Sequence, residues 1–381
     1  MSDQEYVAYG LPLIEDDDIA GVLDSFRSGW LTRGPKTLEF EEAFAAYVGA
    51  GHAVAVNSCT SGLHLTLAGL GLGTGDEVIT TPLTFVATVN TIIHTGARPV
   101  LVDIDPYTMN IDEKKIEQAV TSRTKALVPV HIAGYPCDMD SIMGLAGRHG
   151  LKVVEDAAHA VYTQYKGNMI GGIGDATVFS FYATKNLVTG EGGMITTNDE
   201  ALAENLRLFS SHGLSHGAWN RYTSQGSWFY EVLAPGYKYN MTDIQAALGL
   251  SQLKKLDRMQ KRREDIARHY NEAFADCPSI ELPADSPDVR HAWHLYIIKL
   301  NMTEASVDRN TFIEKLKEKG VGSSVHFIPV HYHPYHREYF AGARYPVAEE
   351  VFERIVSLPL YPKMSDRDVD RVIQAVREIL R

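Results

Sequence analysis

The chain has 381 residues, 45% of them hydrophobic and 22% charged, enough for a large core and a smaller appended one. A formal net charge of −12 without a long basic run argues against a nucleic-acid or membrane-surface binder. Three cysteines (Cys59, Cys137, Cys277) without CxxC pairing argue against a disulfide framework or zinc site. The polar segment Met1–Tyr9 and the lack of any long apolar run lead us to expect a soluble cytoplasmic protein.

In chain order, Ala53–Val56 reads as a strand, followed by Ser58-Cys-Thr-Ser-Gly62 and a helix with leucines at 63, 65, 67 and 70. Further strands are expected at 78–81, 99–104, 126–130, 152–156, 177–182 and 193–197, with Gly150 as a helix cap just before the fifth strand. Strands alternating with helices imply an α/β fold: a mainly parallel seven-stranded sheet with helices on both faces. After Pro235 the pattern changes. A single long helix is expected over 242–274 with Thr242 as N-cap, a strand over 291–300, a helix over 308–319 closed by Gly320, a strand over 325–328 and a final helix over 366–380. We read residues 1–245 as a large α/β domain and 246–381 as a smaller C-terminal α+β domain.

In sheets of this type ligands gather beyond the carboxyl ends of the strands. Three features fall there. The Ser58–Gly62 loop puts hydroxyls and backbone amides at a helix start, suited to an anion, although plain capping is the commoner use of such residues. Asp156 ends an apolar strand, where it can pair with a protonated ring nitrogen or simply cap a helix. Lys185 follows an apolar strand and precedes Gly190-Glu-Gly-Gly193, where desolvation can make it a nucleophile or where it can simply be an exposed loop lysine. Together they offer a phosphate site, a ring-nitrogen partner and an amine for an aldehyde carbon.

With these residues the chain resembles the DegT/StrS-type nucleotide-sugar aminotransferases, a pyridoxal-phosphate-dependent branch of the aspartate-aminotransferase fold (fold type I). The resemblance rests on Ser28-Gly-Trp-Leu-Thr32, Glu155-Asp-Ala-Ala-His159, Phe179-Ser-Phe-Tyr-Ala-Thr-Lys185, Gly190-Glu-Gly-Gly193, Pro235-Gly-Tyr-Lys-Tyr-Asn-Met-Thr-Asp243 and Val325-His-Phe-Ile-Pro329, in family order over nearly the whole chain. It implies that Lys185 forms the Schiff base with pyridoxal 5'-phosphate and shuttles the proton, and that Asp156 holds the pyridine nitrogen. It further implies that Thr60, Ser61 and Ser180 hold the phosphate, that Phe85 stacks on the ring and that His159 sits against it. Asn240 resembles the asparagine that reaches the phosphate of a neighbouring subunit, which implies a homodimer with shared sites. Two residues depart from the common pattern: Cys59 replaces glycine and Tyr182 replaces histidine.

On the substrate side the candidates are Trp30, Tyr182, His326 and His331, with Arg33, Lys238 and Arg221 as softer ones whose default is surface charge. The histidines at 331, 333 and 336 lack partners at ligand spacing, so no metal is expected. The resemblance implies amino transfer from glutamate to a nucleotide-linked keto sugar, in amino-sugar and cell-surface polysaccharide synthesis. Gly236-Tyr-Lys-Tyr-Asn240 with His291-Ala-Trp-His-Leu295 most resembles enzymes aminating C-4 of UDP-4-keto sugars. GDP- or dTDP-linked sugars and a non-catalytic regulator are the alternatives. The presence of Lys185 argues against a sugar-dehydrating branch, which has histidine there.

Overall fold

The computed structural model describes residues 6–215 and 229–381, so the candidate Arg221 lies outside the described residues. Helices α1 (Asp16–Ser28) and α2 (Pro35–Val48) lead into β1 (His52–Val56) and α3 (Cys59–Gly69). Alternation follows: β2 (Glu77–Thr80), α4 (Val86–His94), β3 (Arg98–Leu101), α5 (Glu113–Ala119), β4 (Thr124–Leu127), α6 (Met139–His149) and β5 (Lys152–Ala157). A small pair, β6 (Gln164–Tyr165) and β7 (Asn168–Met169), precedes β8 (Ala176–Ser180), β9 (Gly193–Thr197) and α7 (Glu200–Phe209). The C-terminal part holds α8 (Asp243–Lys254), α9 (Leu256–Phe274), β10 (Ile280–Glu281), β11 (Val289–Arg290), β12 (Tyr296–Leu300) and α10 (Arg309–Glu318). It closes with α11 (Pro334–Tyr339), α12 (Pro346–Arg354), β13 (Ile355–Leu358) and α13 (Asp366–Leu380).

The main sheet has seven strands in the order β1-β9-β8-β5-β4-β2-β3. β9 runs antiparallel to both neighbours and the other pairs are parallel. Side chains alternate across this sheet with period two. Ala53, Ala55, Val153, Phe179 and Met194 enter one core with Phe40 and Phe44 of α2 and Ile142 of α6. Their sequence neighbours Val54, Val56, Val154, Val178 and Ile195 enter another with Leu63 and Leu67 of α3 and Leu206 of α7. Both faces are therefore covered, as expected from the sequence.

A further core surrounds the three-stranded sheet β10-β12-β13, with Ile266, Tyr270 and Phe274 of α9, Phe312 of α10 and Val372 of α13. The changeover falls within α9: Met259 belongs to the first core and Ile266 to the other. Among the described residues no helix is long and apolar enough to cross a membrane.

Three expectations need correction. Residues 242–274 are two helices, because the backbone leaves helical geometry at Lys255 (φ −112°, ψ 6°). There the Lys255 ammonium is drawn to Asp17 at 2.5 Å, Asp18 at 2.9 Å and Glu15 at 3.3 Å at the start of α1. The expected N-cap at Thr242 does form, as a capping box with Gln245. Residues 325–328 are not a strand; only an isolated bridge from Ser324 to Ser357 forms there. The strand expected over 291–300 shortens to Tyr296–Leu300, its first half being spent on backbone bonds from Ala292 and His294 to Gly134 and Ala133.

Candidate active site

At the carboxyl rim of the main sheet lies a cavity of about 480 Å³, within the usual range of small-molecule sites. Its floor comes from regular elements. Ser58 caps α3 by accepting a bond from the Ser61 amide at 3.1 Å. The amides of Cys59 and Thr60, in the first turn, have no intrahelical partner and point at whatever sits before the helix. α3 approaches the sheet closely enough that a Cβ on Gly62 would lie 2.6 Å from Val178 Cγ1. A Cβ on Gly193 of β9 would meet the Cys59 amide nitrogen at 2.7 Å. These two glycines let the cup be built directly on the strands.

Asp156 stands at the end of β5. Its Oδ2 accepts a 2.7 Å bond from the Thr88 hydroxyl, which in turn meets the Thr84 hydroxyl at 2.8 Å, and its Oδ1 accepts from the Ala158 amide at 3.2 Å. Burial pushes this carboxyl above its usual range, while the Thr88 hydroxyl and Ala158 amide pull it back. A cationic N–H placed against it would favour the ionised form. Lys185 lies just past β8. Desolvation lowers its amine to about 8, against the opposing pull of Cys59 and Asp156. Its side chain is partly exposed to the cavity, and Nζ lies 3.4 Å from His294 Nε2.

The opposite wall comes from segments without regular structure. Tyr9, His294, His326 and Phe327 line it, with Leu360 and Tyr361 beyond β13. His159 accepts from the Ala133 amide through Nδ1 at 3.2 Å and stacks on Phe327 at 5.7 Å. Burial holds His159 and His294 well below the ordinary imidazole range and His326 at about 4, so all three rings are neutral near pH 7.

Of the residues picked from sequence, the cavity gathers Thr60, Phe85, Asp156, His159, Ser180, Tyr182, Lys185 and His326. Six others, Ser61, Trp30, His331, Asn240, Arg33 and Lys238, do not line it. The Ser61 hydroxyl is used internally, donating to Asn57 Oδ1 at 2.6 Å. Trp30 is set at the end of α1, its ring 3.0 Å from where a Cβ on Gly34 would stand. His331 is buried and bonds Glu349 at 3.2 Å, a carboxylate also held by Arg344, so it serves the packing of α12 rather than the cavity wall. Asn240 is buried beside the cup, bridged to Val56, and its Oδ1 has no partner among the described residues. Arg33 pairs with Glu41 at 3.4 Å.

Sequence reasoning missed Thr88, Tyr9 and His294. Thr88 carried a usable signal, since Thr84 and Thr88 are four apart at the start of a helix. Tyr9 and His294 reach the cavity from segments far away in the chain.

The floor fits a flat phosphate ester carrying a ring nitrogen and an aldehyde: amides and hydroxyls at one end, a buried carboxylate below, an amine facing the cavity. The profile of the DegT/DnrJ/EryC1/StrS aminotransferase family matches residues 12–377. The spore coat polysaccharide biosynthesis protein SpsC of Bacillus subtilis (strain 168) is 59% identical over 379 residues, covering 99% of this chain and 97% of that one. Among solved structures, Helicobacter pylori PseC, an aminotransferase involved in the biosynthesis of pseudoaminic acid, superposes with a TM-score of 0.92 at 33% identity, covering 99% of both chains. Spr1654 of Streptococcus pneumoniae, in its PLP form, gives 0.91 at 34% identity, covering 99% of this chain and 100% of that one.

Proposed function

The chain belongs to the DegT/DnrJ/EryC1/StrS aminotransferase family and is a pyridoxal-phosphate-dependent sugar aminotransferase; from that premise we propose that it moves an amino group from glutamate to C-4 of a UDP-linked 4-keto sugar. The product is a nucleotide-linked amino sugar for cell-surface polysaccharide, made by a cytoplasmic homodimer with shared sites. The observation that carries this reading is one cavity in which Asp156, Lys185 and the α3 cup meet a wall of neutral hydrogen-bonding rings. The likenesses to PseC and SpsC, whose names concern sugar products, support it.

When bound, the cofactor supplies an aldehyde that takes and returns the amino group and a ring that draws off the electron pair freed at the donor carbon. The chain's residues do the rest. Thr60, Ser180 and the first amides of α3 bind the phosphate. Asp156, braced by Thr88 and the Ala158 amide, keeps the ring nitrogen protonated. Phe85 and His159, which line the cavity, would pack against the ring. Lys185 would supply the amine for the aldehyde and would hold or move a proton at Nζ. An amine titrating near pH 8 exists in both protonation states at neutral pH, as proton transfer in both directions requires. Tyr182 and His326 meet the sugar. Asn240, with its unpaired buried Oδ1 beside the cup, is the residue we assign to the neighbouring subunit's phosphate.

The test is amine formation from a panel of UDP-, GDP- and dTDP-linked keto sugars with glutamate as donor. Preference for a UDP-linked 4-keto sugar is expected. Preference for a GDP- or dTDP-linked 3-keto sugar overturns the substrate assignment.

A further inference from the structure

Behind Lys185 runs a chain of polar groups whose donor and acceptor roles can each be deduced. Gln260, on α9, donates through Nε2 to the His291 carbonyl at 3.2 Å, so its Oε1 must accept. Asn186 donates through Nδ2 to the Ala292 carbonyl at 2.7 Å and to Gln260 Oε1 at 3.2 Å. Both carbonyls are acceptors only, so neither amide can be flipped. Asn186 Oδ1 therefore faces His294 Nδ1, at 3.1 Å, as an acceptor. It follows that Nδ1 of His294 carries the hydrogen and that Nε2, 3.4 Å from Lys185 Nζ, presents a lone pair. The ring has little freedom to do otherwise. Its own amide donates to the Ala133 carbonyl, and the Arg263 guanidinium is bonded to the carbonyls on either side of the ring's attachment, Trp293 and His294.

We propose that Asn186 locks His294 in the Nδ1–H tautomer so that His294 is a positioning residue for Lys185, accepting one of its N–H bonds and leaving the amine lone pair aimed into the cavity. The opposite tautomer would present an N–H to Lys185, cover that lone pair and blunt the nucleophile. The inference rests on the reading of Lys185 as the cofactor-bonding lysine, but it concerns how the amine is held when it is not so bonded. The other titratable groups near Lys185 are Cys59 on α3, Asp156 at the end of β5, and His159 and His326. Among the described residues it is His294, rather than these, that stands within bonding reach of Nζ with an orienting partner of its own.

An acceptor favours the ammonium form, so its removal lowers the amine's pKa. Competitive acetylation of the cofactor-free full-length chain across pH, read by peptide mass spectrometry, titrates Lys185 directly. His294→Phe is expected to move its midpoint down by about one unit, and His294→Gln, which returns an oxygen near the Nε2 position, to restore most of it. An unchanged or raised midpoint in His294→Phe overturns the proposal. Nitrogen-15 spectra of the histidine-labelled native chain require no variant: hydrogen on Nδ1 of His294 is expected, and hydrogen on Nε2 overturns the proposal. Borohydride reduction of the holoenzyme keeps the two ideas apart. A reduced label on a residue other than Lys185 defeats the underlying reading, whereas a label on Lys185 with no titration shift defeats only the role of His294.

Discussion

The two walls of the cavity are built in different ways. On the floor each group rides at the end of a strand or the start of a helix: Thr60 on α3, Asp156 at the end of β5, Ser180 at the end of β8. On the opposite wall Tyr9, His294, His326 and Phe327 come from segments with no regular structure, held by side-chain bonds such as His326 to Ser357 at 2.8 Å. The contrast shows a division of labour. On the proposed reading, the cofactor's phosphate and ring nitrogen are served from the rigid sheet rim, while the sugar contact assigned to His326 sits where backbone can change without disturbing the sheet; His159 and His294 are the wall residues that serve the cofactor side.

Substitutions can break or sharpen this division. The largest effect is expected from Lys185→Ala, which should lower turnover by about 10²–10⁴-fold or more and abolish the borohydride label on the active-site peptide. Asp156→Ala should weaken retention of the cofactor by about 2–5 kcal/mol, the cost of leaving a charged partner unpaired; loss of visible absorbance on dialysis measures it. Gly62→Ala should cost about 1–3 kcal/mol of stability by forcing α3 away from Val178, read as a drop in thermal midpoint. On the other wall, His326→Ala should raise KM for the keto sugar by roughly tenfold, with the glutamate half-reaction unchanged in stopped-flow spectra. If His326→Ala slows the glutamate half-reaction equally, the division fails.

The remaining expected effect is of pH. His326, partly buried and lowered to about 4, and His291, buried and lowered to about 3, are neutral near pH 7, while in the unfolded chain these side chains bind protons near pH 6.5. Between those values the unfolded state holds more protons, so stability is fully present above pH 6.5 and drains away as pH falls toward 4 and below. Denaturant midpoints measured across that window should decline, and His326→Asn should flatten the decline.

How much of this was legible in the sequence follows the same division. The seven strands, Asp156 and Lys185 are legible because β-branched runs announce buried strands and rim residues follow them directly. Thr60, Ser61 and Ser180 rest on the resemblance alone, and only the structure shows the Ser61 hydroxyl turned to Asn57. The wall is less legible: the pattern around His326 predicts a strand that does not form, and His331, close to it in sequence, is occupied with Glu349, which Arg344 also holds. The helix break at Lys255 depends on carboxylates more than two hundred residues away in sequence, which no local pattern encodes.

Helix α9 begins in one hydrophobic core and ends in another over 19 residues, without an interior break. One continuous helix therefore belongs to both cores, and Gln260 and Arg263, both on it, are bonded to Asn186 and to the backbone of His294, so the surroundings of the Lys185 amine are tied to the same rod that joins the two cores.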